Sequence, residues 1–278
     1  MKIINYYLKN NDCYKLAKKI TPKGIILHSV GCSQEEPTVF CKSFDKPNLQ
    51  KCVHAFVGAG VVYQTLPLDY KAWHCGLGSR GSYNSSHIGI EMCEPNTIKY
   101  TSSNSFIDID PIRSKAFIAG TLNTAIEYIV YLCNILSIDP SKSGSILSHH
   151  EAYLQGYATN HSDPEHLLNY AGISMDTIRQ RIILSHKNNI NMDKNINVFD
   201  KTDDKIKCKE QDYKNYLSDQ IKKAKDKFDL YINDEYKDAD MINVDGFVYV
   251  RLRDMTGKYI AVDFDKQKNI ITLSTKAK

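Results

Sequence analysis

The sequence predicts an α/β fold, a central β-sheet with flanking helices, followed by a small α+β C-terminal module. Three observations lead there. Short apolar runs of strand character alternate with a helix-periodic stretch. The chain has 278 residues, 42% hydrophobic and 24% charged, which suits a globular protein of one or two domains with a sizeable core. Charge is also unevenly spread, at about 17% of residues 1–190 and about 40% of residues 191–278, a shift that marks a domain boundary.

Taken in order, Gly24-Ile25-Ile26-Leu27-His28 reads as a short buried strand ending at a histidine. Val53-His54-Ala55-Phe56-Val57 and Val61-Val62-Tyr63-Gln64 read as a hairpin around Gly58-Ala59-Gly60. His87-Ile88-Gly89-Ile90-Glu91-Met92 is another strand. From Ser114, read as an N-cap, the apolar positions Phe117, Leu122, Ala125, Ile126, Ile129, Val130, Cys133 and Leu136 keep a helical period until Pro140. Ile146-Leu147-Ser148-His149 reads as a further strand end. Ser174 caps a helix to about His186, after which the polar, Asn-rich stretch from Lys187 to Asn195 reads as linker. The expected organisation is 1–187, a linker over 188–208, and a module over 209–278. In that module Lys209 to about Ile232 is helix-prone and Gly246 to Arg253 alternates like a strand. Ile260–Asp265 and Asn269–Leu273 close as a hairpin.

The net charge of +4 offers no electrostatic reason to expect a nucleic-acid or membrane partner, and no apolar run approaches the ~20 residues of a membrane span. The N-terminal stretch reaches Lys9 too soon for a signal-peptide core. The expectation is synthesis in the cytoplasm without a signal peptide, with release by another route. The eight cysteines have irregular spacing and no CxxC pair, so mostly free thiols are expected.

All nine histidines lie between His28 and His186, and three features among them carry chemistry: His28 at a strand end, His149-His150-Glu151, and His161-Ser162-Asp163-Pro164. A hydrolytic zinc site needs three protein ligands and one open position for water, and His28, His149 and Asp163 would supply that set. No single one of these is specific, since a lone strand-end histidine is usually structural and neither HExxH nor a CxxC ribbon is present.

Six ordered stretches together are specific. Ile25-Ile26-Leu27-His28-Ser29, Val53-His54-Ala55-Phe56, Lys71-Ala72-Trp73-His74-Cys75-Gly76, Ser86-His87-Ile88-Gly89-Ile90-Glu91, Ser148-His149-His150-Glu151 and His161-Ser162-Asp163-Pro164 resemble the type-2 N-acetylmuramoyl-L-alanine amidases over roughly residues 20–170. That zinc family also includes peptidoglycan recognition proteins and many phage endolysins. The resemblance implies a central mixed β-sheet flanked by helices, a Zn2+ cofactor and peptidoglycan as substrate. It implies His28, His149 and Asp163 as zinc ligands, with His149 chosen over His150 because the family pattern is His-x-acid. It implies Glu91 as general base. His161 stands where the family usually has lysine or another donor, as the group that stabilises the oxyanion, a role that histidine makes pH-sensitive. Trp73 is a groove-wall or core aromatic, and His54 and His74 are cleft residues that orient ligands or contact substrate. Cys32, Cys52, Cys75 and Cys93 flank these motifs, either as thiols competing for metal or as small buried apolar residues.

The implied activity is hydrolysis of the amide between N-acetylmuramic acid and L-alanine, in a phage or prophage endolysin. The alternatives are a non-catalytic peptidoglycan-binding protein, or a host autolysin or germination amidase. The tail from Val244 to Leu273 is similar to the module related to the copper amine oxidase N-terminal domain, which implies either wall binding or a stabilising appendage.

Overall fold

In a computed structural model of the protein, residues 1–189 and seven later strands are described. The chain divides into two compact units, Met1–Asp204 and Lys205–Lys278.

β1 (Lys2–Asn5) and α1 (Asp12–Leu16) open the first unit, with the Asn11 side chain accepting the Cys13 N–H as a cap. β2 (Gly24–Ser29) is buried along its whole length, as a strand covered on both faces must be. α2 (Pro37–Phe44) starts on a proline, which the first helical turn tolerates. β3 (Ala55–Gly58) and β4 (Val61–Gln64) form the expected hairpin, with Gly60 at φ 78° turning the chain. A single 3-10 turn at Tyr83–Ser85 leads into β5 (His87–Met92). The hairpin of β6 (Ile98–Tyr100) and β7 (Phe106–Asp108) follows.

α3 (Pro111–Leu136) begins earlier than expected. Asp110, whose side chain accepts the Arg113 N–H, is its N-cap, and Pro111 lies in the first turn. Ser114 is instead buried inside the helix, where its hydroxyl donates to Asp108 at 2.8 Å. By length and composition α3 could cross a membrane, contrary to the expectation that no run reaches that length, yet 61% of its most apolar window is buried in the fold. That burial is what a core helix shows. β8 (Ile146–Ser148), α4 (His149–Leu154), α5 (Glu165–Tyr170) and α6 (Met175–Asn189) follow, with Ser174 accepting the Thr177 N–H ahead of α6.

β9 (Asn197–Asp200) pairs parallel with β1 and forms one edge of a seven-stranded sheet ordered β8-β2-β5-β3-β4-β1-β9. This strand falls inside the stretch read as linker. β3–β4 is the antiparallel pair and the other neighbours are parallel, so the sheet is mixed. Alternation then sorts side chains by face. Ile25, Leu27, Ile88 and Ile90 pack with Leu122, Ile126 and Ile129 of α3 and Ile178 and Ile182 of α6. Ile26 and Leu147 pack on the other face with Cys75, Ala152 and Ala158. That second face carries the site.

In the second unit β10 (Leu230–Ile232) pairs with β11 (Glu235–Lys237), β12 (Met241–Val244) with β13 (Phe247–Val250), and β14 (Ile260–Asp265) with β15 (Ile270–Thr275), all antiparallel. The helix-prone stretch expected from Lys209 lies outside the described residues up to Leu230, where a strand stands instead. Every cysteine among the described residues is a free thiol. Cys208 lies outside them.

Candidate metal centre and active site

The neighbouring strands β8, β2 and β5 run parallel, which brings their carboxyl ends together, where open α/β sheets place their ligands. His28 on β2 and Glu91 on β5 are register partners, so both side chains leave the sheet on the same face. His149 comes from a helix rather than the expected strand end. Ser148 Oγ accepts the Glu151 N–H and the Glu151 carboxylate accepts the Ser148 N–H, each at 3.0 Å. This reciprocal cap starts α4 at His149 and fixes the ring's direction. Asp163 arrives on the loop between α4 and α5, held by the His150 N–H donating to its carbonyl at 3.4 Å.

These three side chains converge. His28 Nδ1 lies 3.0 Å from His149 Nδ1 and 3.0 Å from Asp163 Oδ2, and His149 Nδ1 lies 3.4 Å from Asp163 Oδ1. His28 and His149 are buried, at 1% and 3% exposure. His149 Nε2 lies 3.1 Å from the Thr159 carbonyl. A carbonyl only accepts, so Nε2 carries the ring proton and Nδ1 presents a lone pair to the cluster. A carboxylate oxygen likewise only accepts. Zinc bonds of about 2.0–2.1 Å in a tetrahedron set neighbouring donors ~3.3 Å apart, and the observed separations bracket that value. The residues present therefore fit a zinc ion.

The electrostatics agree with the packing. Burial would raise the Asp163 carboxyl, but the two imidazoles beside it outweigh burial and hold the group far below the usual carboxylate range. Burial lowers His28, with Asp163 acting in opposition. Burial, followed by the nearby charges of Asp163 and Glu94, pushes Glu91 well above its ordinary value. Glu91 Oε2 has no hydrogen-bond partner among the described residues. A carboxyl whose Oε2 is buried, and whose affinity for a proton is raised beside a cluster of lone pairs, is equipped for acid–base work.

The other predicted residues separate by position. His161 is exposed, stacks on the His149 ring at 4.7 Å with a 3° interplanar angle, and has Nδ1 3.7 Å from Asp163 Oδ1. Trp73 is half-buried against Leu66 and Ala72. His54 cannot contact substrate: it is 0% exposed, it donates from Nε2 to the Tyr70 carbonyl at 2.8 Å, and Nδ1 accepts the Gly89 N–H at 3.0 Å. Burial lowers it to about 4. His74 lies behind His28, with Nδ1 2.9 Å from His28 Nε2. His150 stands outside the donor cluster, and its Nδ1 is buried without a partner among the described residues. Cys32 is exposed, and Cys52 and Cys93 are buried in apolar clusters. Cys75 Sγ is 3.1 Å from His74 Nδ1, and His28, His74 and Cys75 form a second group of possible ligands.

Sequence reasoning missed Thr159, which acts through its backbone carbonyl and so leaves no side-chain signal. It also missed the buried Glu94, which accepts from Gly31 N–H at 2.9 Å and from the Tyr100 hydroxyl at 2.6 Å. That hydroxyl also lies 2.6 Å from His166 Nε2. Glu94 thus ties the loop after β2 to β6 and α5, the segments next to His28 and Asp163. The path from Gln155 to Asn160 is docked on the loop before β5: Arg80 N–H donates to the Gly156 carbonyl, Tyr83 N–H to the Tyr157 carbonyl, and Thr159 N–H to the Cys75 carbonyl.

Fold and site define a mixed-sheet α/β protein with a His-His-Asp donor cluster and a buried acid at the carboxyl ends of three adjacent parallel strands. The Amidase_2 family, described as N-acetylmuramoyl-L-alanine amidase, matches residues 18–166, more than half of the chain, and the chain belongs to that family. Over 77 residues it is 34% identical to the N-acetylmuramoyl-L-alanine amidase CwlH of Bacillus subtilis (strain 168), a match spanning 27% of this chain and 31% of that relative's length. The catalytic domain of XlyA is 20% identical with a TM-score of 0.47, covering 66% of this chain and 99% of that domain. The Staphylococcus aureus hydrolase AmiA, solved with its ligand, is 21% identical with a TM-score of 0.48, covering 69% of this chain and 86% of that one.

Proposed function

We propose that the chain is a zinc-dependent amidase that cleaves the bond between N-acetylmuramic acid and L-alanine in bacterial peptidoglycan. The observation that carries the proposal is the convergence of His28 Nδ1, His149 Nδ1 and the Asp163 carboxylate beside the unpartnered Glu91 carboxyl. His28, His149 and Asp163 would hold the ion. When bound there, the ion would supply a water of lowered pKa and a Lewis acid for the scissile carbonyl. Glu91 Oε2 takes a proton from the attacking water and delivers it to the leaving amine. His161, exposed and stacked on the His149 ring, donates to the developing oxyanion, a contribution commonly worth ~3 kcal/mol. Trp73 serves as a groove-wall aromatic, and the Thr159 carbonyl orients His149 through its Nε2–H.

The complete donor set and the buried acid favour a hydrolase over a protein that only binds muropeptide. A lytic role as a phage or prophage endolysin, acting on the wall after release, belongs to the same proposal. So does a catalytic domain extended beyond 1–187 to take in β9, with a module over 209–278 that targets the wall. In the direct test, a chelator stops release of stem peptides from purified walls and zinc restores it. Full activity in metal-free protein would sink the proposal.

A further inference from the structure

The second histidine behind the cluster decides which nitrogen of His28 faces it. His74 Nε2 lies 3.2 Å from the His87 carbonyl, which has no proton to give. The ring proton of His74 therefore sits on Nε2, and Nδ1 is an acceptor. His74 Nδ1 is 2.9 Å from His28 Nε2, so the proton between the two rings belongs to His28. With its one proton on Nε2, His28 leaves Nδ1 bare, and Nδ1 is the atom 3.0 Å from both His149 Nδ1 and Asp163 Oδ2.

The fold makes room for this arrangement. A Cβ on Gly89 would lie 2.4 Å from His74 Cγ, so the ring rests directly on the β5 backbone where a side chain would otherwise stand. Asn84 Oδ1 accepts the N–H of both His74 and Cys75, at 2.9 and 2.8 Å, fixing the loop that presents the ring.

We propose that His74 is a positioning residue: as the acceptor for His28 Nε2–H, relayed to the His87 carbonyl, it sets the His28 tautomer and so prepares the donor cluster for its ion. The consequence for metal affinity rests on the zinc reading above, whereas the tautomer itself does not. The same geometry argues against a second ion held by His28, His74 and Cys75. Nε2 of His28 cannot be a ligand while it donates its proton to His74.

The test compares the full chain with His74→Asn, whose side-chain oxygen can replace Nδ1 as acceptor, and with His74→Leu, which has none. Imidazole nitrogen NMR of the metal-free parent should find the His28 proton on Nε2. Zinc affinity by chelator competition should fall 10- to 100-fold in His74→Leu, the usual cost of losing such a partner, and stay within a few-fold in His74→Asn. A parent His28 protonated at Nδ1, or equal affinities in the two variants, would overturn the inference. So would a second zinc equivalent that disappears in Cys75→Ser. A parent that binds no zinc refutes the proposed function instead, and the tautomer measurement then decides this inference alone.

Discussion

Replacing Glu91 by glutamine separates chemistry from folding and metal binding. Its Oε2 is buried with no partner among the described residues, and the carboxyl is raised by burial and by the charges of Asp163 and Glu94. Glutamine keeps the side-chain volume and removes the transferable proton. Loss of a general acid–base group typically costs ~10²–10⁴-fold, which is about 2.7–5.4 kcal/mol at 1.36 kcal/mol per decade. Stability should not fall with it, because a carboxyl facing two like charges is exchanged for a neutral amide. His28, His149 and Asp163 are untouched, so zinc content should stay at the parental level. The assay is the rate of appearance of free L-alanine N-termini from purified walls, with zinc and melting temperature measured on the same sample. Activity within tenfold of the parent, or a loss that follows loss of zinc, would refute the acid–base role.

Asp163→Ala removes one of three converging donors and leaves two lone pairs 3.0 Å apart. Bound zinc should drop below one tenth of the parental content by elemental analysis, with turnover lost, and zinc retained at parental level would contradict the donor assignment. Gly89→Ala sets a methyl 2.4 Å from His74 Cγ. It should cost about 1–3 kcal/mol of stability in urea unfolding and weaken zinc binding, and a neutral effect would show that the ring does not rest there. His54 is held neutral down to about 4, against ~6.5 in an unfolded chain. Between these values the unfolded state binds a proton that the folded state refuses, so this contribution is intact above ~6.5 and is lost as pH falls, by up to about 3 kcal/mol. Metal-free parent should therefore lose more stability from pH 7 to pH 5 than His54→Gln, and parallel losses would contradict the burial argument. His161→Ala should slow turnover ~10²–10³-fold with zinc retained, in line with loss of an oxyanion donor, and full activity would remove His161 from the reaction.

Strands β2 and β5 were legible in the sequence because each is a short apolar run bounded by polar residues, and the β3–β4 hairpin because glycines flank its turn. The C-terminal pair β14–β15 was legible through its alternation. Short elements with weak periodicity, such as β1, α1 and the β6–β7 hairpin, were not. The start of α3 is masked in the sequence because Ser114 has the chemistry of a cap, whereas Asp110 and Pro111 supply one a turn earlier and Ser114 turns inward to Asp108. Apolar Ile146 and Leu147 give His149 the look of a strand end, but Ser148 and Glu151 together start a helix there. At the site, the motifs named the side chains that now cluster. They could not reveal that His54 is sealed inside the fold. Nor could they reveal that Thr159 and His87 act through backbone carbonyls, since a backbone acceptor has no residue-type signature. The Tyr100–His166 contact joins segments 66 residues apart and is visible only once the chain has folded.

The most direct measurement is mass spectrometry of peptidoglycan digested by the full chain with zinc supplied. The account predicts new free L-alanine N-termini on released stem peptides and no increase in reducing ends. New reducing ends without free L-alanine N-termini would mean that glycosidic bonds are cut instead, and would contradict the proposed amidase activity.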